Sequence, residues 1–161
     1  MKERTVTIPK NDIYFDVNAE THIFAKVNDG KDLRRFDALE ADSEDTFNVD
    51  VITRHADQRA AELKESLSRF LKTPTSAVSS FTANISTTTG YSFAFSVEDG
   101  FQDELMEPLT REIEAYIAKG TIADWYAGAG DAMAASYQQA LAPIKDRIVS
   151  YLVKRKFPTR S

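Results

Sequence analysis

Apolar side chains recur every three or four residues along four stretches of the chain, and this spacing predicts four helices. The predicted helices span about 18–29, 47–72, 101–127 and 131–154. The first is short, so it needs tertiary packing to persist. In the second, the same periodicity places Asp57, Arg59 and Glu62 on the outward, solvated face.

Prolines, glycines and capping residues fix where these helices end. Thr73 stands before Pro74 and is pushed away from helical angles, so the second helix stops there. Pro108 fits either the first turn or a kink of the third helix. The break at 128–130 separates the third helix from the fourth, which Asp131 can cap. Pro143 predicts a bend in the fourth helix near Gln139.

Strict alternation of apolar and polar residues over 81–86 and 91–97 predicts an antiparallel hairpin around a turn at 87–90. One face of this hairpin is aromatic and the other is mostly Ser, Thr and Asn. Because a lone hairpin is marginal in water, its aromatic face must cover either the chain's own helices or a neighbouring subunit. The second alternative makes Tyr91, Phe93 and Phe95 candidate subunit-interface residues.

The N-terminal residues leave two alternatives open. Thr5-Val6-Thr7-Ile8 also alternates, which fits a short strand or an extended arm over residues 1–15. Together the elements predict a mainly α chain with a β-hairpin insert, of the α+β class. We expect a helical bundle of three long or medium helices plus a short N-terminal helix, in a single domain spanning 1–161.

Composition narrows the classes of function. The chain has 161 residues and no Cys, which excludes disulfide frameworks, thiolate zinc sites and cysteine nucleophiles. Its first residues lack an apolar stretch of signal-peptide length, and no run approaches the ~20 apolar residues of a membrane span. We therefore expect a soluble, non-exported protein without membrane contact.

Catalytic and metal-binding patterns find no support in the sequence. His22 and His55 have no ligand-spaced partner, and no serine motif places a nucleophile beside a base. Residues 87–90 lack the glycine spacing and the Lys of a phosphate loop. The acidic stretch 37–50 is typical of a solvated loop, and Asp42–Asp45 lacks the order of a calcium loop. We expect no enzyme activity, no cofactor and no metal.

Charge is polarised along the chain. From Lys145 onward there are six basic residues and one acidic residue, whereas 37–50 is acidic without a single cation. The basic residues can simply complement the dipole of a helix C-terminus. The alternative is a docking tail over 154–161, in which cations flank Phe157 and Pro158 and reach an acidic partner surface or phosphates. A net charge of −5 argues against nucleic acid.

Taken in order, these segments resemble small proteins encoded among tailed-phage structural genes. The similarity covers roughly 17–158. It includes the helix ending Tyr116-Ile117-Ala118-Lys119-Gly120-Thr121-Ile122-Ala123-Asp124-Trp125-Tyr126, the break Gly128-Ala129-Gly130-Asp131, the helix segment Ala134-Ala135-Ser136-Tyr137-Gln138-Gln139-Ala140 and the basic end Lys154-Arg155-Lys156-Phe157-Pro158. The pattern is similar to that of head–tail connector (adaptor) proteins of phages and prophages, and to related neck or tail-completion proteins.

The resemblance implies a non-enzymatic virion protein. Adaptors of this kind form a ring beneath the portal and extend the DNA channel toward the tail, so the implied partners are the portal protein, other neck or tail proteins and further copies of this chain. DNA enters only as the contents of the channel. The implied locations are the host cytoplasm during assembly and then the virion. The tail often makes the portal contact in this family, which maps to Lys154, Arg155, Lys156 and Phe157. The N-terminal 1–15 is longer and more strand-like than the family pattern.

A second hypothesis is a small helical regulatory or nucleic-acid-binding module. It would use the helix from Asp131 and the basic tail on phosphates, and its affinity would fall steeply with salt. The absence of a basic recognition helix in a helix-turn-helix pattern counts against it.

Overall fold

The computed structural model describes residues 1–27, 46–72 and 90–154, with the side chains of 23–27 and 46–47 outside that description. Within these ranges the chain forms two strands and four helices. They are β1 (Lys2–Pro9), α1 (Lys10–Val27), α2 (Thr46–Ser66), β2 (Gly90–Val97), α3 (Met106–Gly128) and α4 (Met133–Val153). Short 3₁₀ turns occupy Ser68–Phe70 and Asp103–Leu105. The architecture is mainly helical with a small antiparallel sheet, which confirms the α+β class.

The sheet joins the N-terminal strand to a strand from the middle of the chain. β1 and β2 pair antiparallel along their whole length, from Lys2 opposite Val97 to Pro9 opposite Gly90. Val6 lies opposite Phe93, and both side chains point into the core with exposures of 2% and 0%. Of the two alternatives for the N-terminal residues, the strand is therefore the one observed.

One half of the predicted hairpin, residues 81–86, lies outside the described part of the chain. Its other half is β2, which pairs with β1 within the described residues. On the opposite edge of β2, Leu71 forms a bridge with Phe95, and the Lys72 N–H donates to the Ala94 carbonyl at 2.8 Å. The distant strand pairs with β2 because its inward residues share the apolar face of β2, an arrangement that a local pattern does not encode.

α3 is the central helix and packs against α4, α2 and α1. Its connection to α4 is short, which makes the two helices antiparallel neighbours. The apolar stripe predicted for the fourth helix is buried in α4 at Leu141, Ile144, Ile148 and Leu152. The inward face of the sheet completes the same hydrophobic core.

Several element boundaries correct the sequence predictions. α1 begins at Lys10 rather than near residue 18, because Ile13 and Val17 form one buried face with 0% exposure each. With 18 residues it is comparable in length to the other helices and is not a short one. Residues 1–15 are therefore a strand followed by the first turns of a helix.

The ends of the other helices are set by local contacts. α2 stops at Ser66 rather than near 72, because the chain turns through Ser68–Phe70 so that Leu71 can join the sheet. Pro108 lies in the first turn of α3, and Pro143 lies inside α4. The Asp131 carboxylate accepts a hydrogen bond at 2.8 Å from the N–H of Met133, the first residue of α4, while the N-cap position itself is Ala132. Gly130 has a φ of +70°, a left-handed conformation that suits glycine between two helices.

Candidate docking groove

The most connected charged residue among those described is Arg59, on α2. Its side chain lies between three helices, and only 8% of the residue is exposed. The guanidinium donates to both carboxylate oxygens of Asp124 on α3, at 2.9 and 2.6 Å, and to Glu62 and Gln138, each at 3.0 Å. Burial lowers the pKa of Arg59, but the bonds and charge of Asp124 outweigh it and leave that pKa raised. The predicted outward position of Arg59 is wrong, and the residue ties α2, α3 and α4 together.

A second polar cluster connects α1, α2 and the sheet. The Tyr91 hydroxyl donates to Asp57 Oδ1 at 2.6 Å, and Lys10 Nζ lies 3.4 Å from the same oxygen. Lys10 is only 6% exposed and sits 5.4 Å from the centroid of the Tyr91 ring. Burial and the neighbouring carboxylate raise the pKa of Tyr91, so its hydroxyl stays protonated. This cluster neutralises its own buried charges.

Carboxylates from α1 and α3 also meet. Burial, a hydrogen bond with Asp16 and the charge of Asp12 raise the pKa of Glu114 to about 7. Elsewhere, His55 Nδ1 lies 3.9 Å from Asp124 Oδ2. Over the ranges that the structure describes, no group of three or more His, Asp or Glu is arranged to hold a metal ion.

A groove lies at the end of the molecule where α4 terminates. Its volume is about 280 Å³, and it is built from the start of β1, the 3₁₀ turn after α2, the end of β2 and the end of α4. The lining residues are Met1, Arg69, Phe70, Ser96, Val97, Glu98, Phe101, Leu152, Val153 and Lys154.

This groove gathers exposed apolar surface. Among the described residues, three large apolar side chains are exposed, and two of them, Met1 at 82% and Val153 at 53%, line the groove. The third is Phe15 on α1, at 73%. Exposed apolar side chains grouped at a concave surface are typical of docking sites.

Cations are placed at the edges of the same groove. The guanidinium carbon of Arg69 lies 4.5 Å from the centroid of the Phe70 ring, and Lys154 Nζ lies 5.1 Å from that of Tyr151. Both contacts place the charged group of the cation over an aromatic face. At Lys154 the backbone turns to extended angles, with φ −68° and ψ 132°, so the chain leaves α4 at the groove.

The predicted site residues divide into two groups. Lys154 lines the groove, whereas Arg155, Lys156 and Phe157 lie outside the described residues. The candidate subunit-interface residues Tyr91, Phe93 and Phe95 are 8%, 0% and 0% exposed and belong to the chain's own core. Of the two alternatives for the aromatic face, covering the chain's own helices is the one found.

Sequence reasoning did not identify Arg69, Phe70 or Phe101 as site residues. Arg69 and Phe70 were assigned to the last turn of a continuous helix, and Phe101 to the start of the next. These residues line the groove because α2 ends at Ser66 and Leu71 then bridges Phe95. The apolar period of the sequence does not show that end of the helix.

The fold and groove together define a mainly helical α+β protein with an apolar groove lined at its edges by Arg69 and Lys154. Comparisons with protein families, with curated proteins and with solved structures found no match to this chain. No helix within the described ranges is both long and apolar enough to cross a membrane.

Proposed function

We propose that this chain is a non-enzymatic virion structural protein, the subunit of a head–tail connector (adaptor) ring that docks on the portal and extends the DNA channel. The observation that carries the proposal is the groove at the end of α4, where Met1 and Val153 are exposed beside Lys154. The resemblance of the segment order to phage adaptors supplies the identity of the partner.

The groove supports docking because it combines two kinds of interaction. Its apolar floor gains free energy on burial, at roughly 25 cal/mol per Å² of apolar surface removed from water. Arg69 and Lys154 at its edges, with the cations of 155–161 beyond, favour a partner surface that carries carboxylates. This arrangement fits a contact with another protein.

A closed ring needs two different surfaces on each subunit, because its side-to-side contacts are heterologous. The groove lies at the end of α4, and the other exposed apolar side chain in the described ranges, Phe15, lies on α1. The side-to-side contact between neighbouring subunits therefore joins Phe15 of one copy to a different surface of the next. Tyr91, Phe93 and Phe95 stay in the core.

Ring formation is tested by light scattering over a range of protein concentrations, with negative-stain images of the same samples. We expect closed rings with a central opening, and loss of these rings in Phe15→Ser with the circular dichroism spectrum unchanged. A monomer at every concentration would contradict a self-assembling ring and favour a plain interaction module.

Portal docking is tested separately by co-sedimentation with a purified portal ring. The double variant Lys154→Glu with Lys156→Glu is expected to lose binding. The matched control, Arg54→Glu with Arg111→Glu, makes the same change in net charge at exposed positions of α2 and α3 and is expected to retain binding. If the two variants bind the portal ring equally well, the basic tail does not dock on the portal. Binding to duplex DNA that falls steeply with salt would instead support the nucleic-acid alternative.

A further inference from the structure

The groove lies where the chain leaves α4, and seven residues of sequence, Arg155-Lys156-Phe157-Pro158-Thr159-Arg160-Ser161, follow Lys154. We propose that the groove is the seat of this segment of the same chain, with the Phe157 ring against the apolar floor. The inference goes beyond the proposed function, because it concerns the isolated chain and involves no portal.

The length of the segment matches the distance it must cover. Phe157 is three residues beyond Lys154, and an extended chain covers about 3.3 Å per residue, so its ring can reach points about 10 Å from the end of α4. Lys154 itself has extended backbone angles. Leu152, Val153 and Lys154 themselves line the groove, so the segment begins inside its rim.

The size and character of the groove suit an aromatic ring followed by proline. A cavity of about 150 Å³ lined by apolar residues accepts benzene, and this groove has about 280 Å³. Phe70, Val97, Phe101 and Leu152 provide apolar walls. Phe157 is the aromatic residue of the segment, and the other side chains around it are polar, cationic or small.

The charges on the two sides are complementary. The loop after β2 carries four carboxylates and no cation over 98–104, at Glu98, Asp99, Asp103 and Glu104. Two of them already form ion pairs, Asp99 with the Met1 amino group at 3.1 Å and Asp103 with Arg4 at 2.7 Å. The segment carries three cations and no side-chain carboxylate, at Arg155, Lys156 and Arg160. Glu98 lines the groove, so the acidic loop forms one of its rims. A carboxylate at this rim favours a cationic segment over an acidic one as the occupant of the groove.

The tether makes the chain's own segment the favoured occupant. A side chain tethered three residues from the rim has an effective concentration at the groove in the millimolar range, above that of a second copy at ordinary protein concentrations. A partner that uses the groove must therefore displace Phe157, and a partner that leaves it in place meets only the cationic outer side of the segment.

The absence of Cys in the chain allows a direct test. In the full chain, Ser96→Cys places a thiol at the groove, and Thr159→Cys places one just past Phe157 and Pro158. The matched control pairs Thr159→Cys with Ser92→Cys, at an exposed position of β2 about 13 Å farther along the strand. A short bis-maleimide is expected to join residues 96 and 159 within one chain much faster than residues 92 and 159, at a rate independent of protein concentration.

Phe157→Ser is combined with the cysteines at 96 and 159. It is expected to lower the equilibrium constant for binding of the segment in the groove by about ten- to hundredfold, because the burial of one Phe side chain is lost, and to slow the cross-linking accordingly. A second experiment uses no introduced cysteine and compares the NMR amide resonances of the wild type with those of Phe157→Ser. The resonances of Val97, Phe101 and Leu152 are expected to shift, and that of Ser92 is not. Equal rates at 92 and 96, or unshifted groove resonances, would overturn the proposal. Cross-linked dimers whose yield rises with concentration would also overturn it, since the occupant would then be a second copy. Neither assay contains portal protein, so its outcome is distinguishable from a failure of portal docking.

Discussion

The ion-pair network of Arg59 gives the strongest test of how the helices are held together. Arg59→Leu keeps much of the apolar stem but removes all the donors that bind Asp124, Glu62 and Gln138. Breaking a buried pair by removing one partner costs about 3–5 kcal/mol, because the other charge is left uncompensated. Asp124 retains 23% exposure and Glu62 45%, so water compensates part of that loss. We expect Arg59→Leu to lower the free energy of unfolding by about 2–3 kcal/mol.

A double-mutant cycle separates the pair from the packing. Asp124→Leu alone leaves Arg59 buried with weaker partners, and it should also be strongly destabilising. With both substitutions no uncompensated charge remains at this site between α2 and α3. The combined loss is therefore expected to fall short of the sum of the single losses by about 1–2 kcal/mol.

Urea denaturation followed by circular dichroism and by the fluorescence of Trp125 measures these losses. The slope of the free energy with urea should stay constant across the set, which shows that stability alone has changed. In thermal unfolding, Arg59→Leu is expected to lower Tm by about 5–10 °C for a chain of this size.

The matched control is Arg111→Leu, whose guanidinium pairs with Glu107 in the same helix while both side chains are more than 70% exposed. Its cost is expected to be about 0.5 kcal/mol or less. If Arg59→Leu costs no more than Arg111→Leu, or if the two single losses simply add, then the network does not hold the three helices as argued.

Four further substitutions test other parts of the fold. Gly120→Ala would bring a Cβ to 2.7 Å from Arg59 Cδ and is expected to destabilise by about 1–3 kcal/mol in urea denaturation. Gly128→Ala meets nothing within 4 Å and is expected to stabilise by about 0.5–1 kcal/mol. Stabilisation by Gly120→Ala as well would refute its contact with Arg59. Because the pKa of Glu114 is raised to about 7, the folded state binds the Glu114 proton more tightly than the unfolded chain does. The stabilisation of the folded state by this proton is therefore complete below about pH 4.5 and is lost as the pH rises through 7. Glu114→Gln is expected to flatten the fall in Tm across that window, and an unchanged pH profile would contradict the coupling to Asp16. Phe93→Ala is expected to cost about 3–5 kcal/mol in dilute monomer, whereas an interface residue would show its loss only in the assembled state.

The helices that pack locally were the part of the fold that could be predicted. α3 and α4 follow each other through a short connection, and each carries its own apolar stripe, so period and spacing are sufficient to place them. The pairing of β1 with β2 could not be predicted in the same way. Lys2 and Val97 are opposite each other but far apart in sequence, and alternation in each strand shows that a partner exists without showing which one.

Charged residues were misjudged for a related physical reason. Periodicity sorts side chains by polarity and therefore assigned Arg59 to the solvated face of its helix. The structure buries Arg59 because Asp124 and Gln138 come from two later helices to satisfy its donors. A polar side chain can be buried where other elements of the chain supply its hydrogen-bond partners. The residue pattern of a single helix does not show those partners.

The same limit explains why the groove was only half predicted. Lys154 was recognised from the local charge pattern, but the walls opposite it depend on where α2 ends. Had that helix continued to residue 72, Arg69 and Phe70 would lie along its surface; instead the chain turns after Ser66, and the bridge between Leu71 and Phe95 carries both residues to the end of β2. The apolar groove at the end of α4 is thus a consequence of the long-range sheet pairing. A variant that breaks this bridge should open the groove and lower the affinity of any occupant. Lys72→Pro is such a variant, because it removes the N–H that donates to the Ala94 carbonyl, and Lys72 does not line the groove.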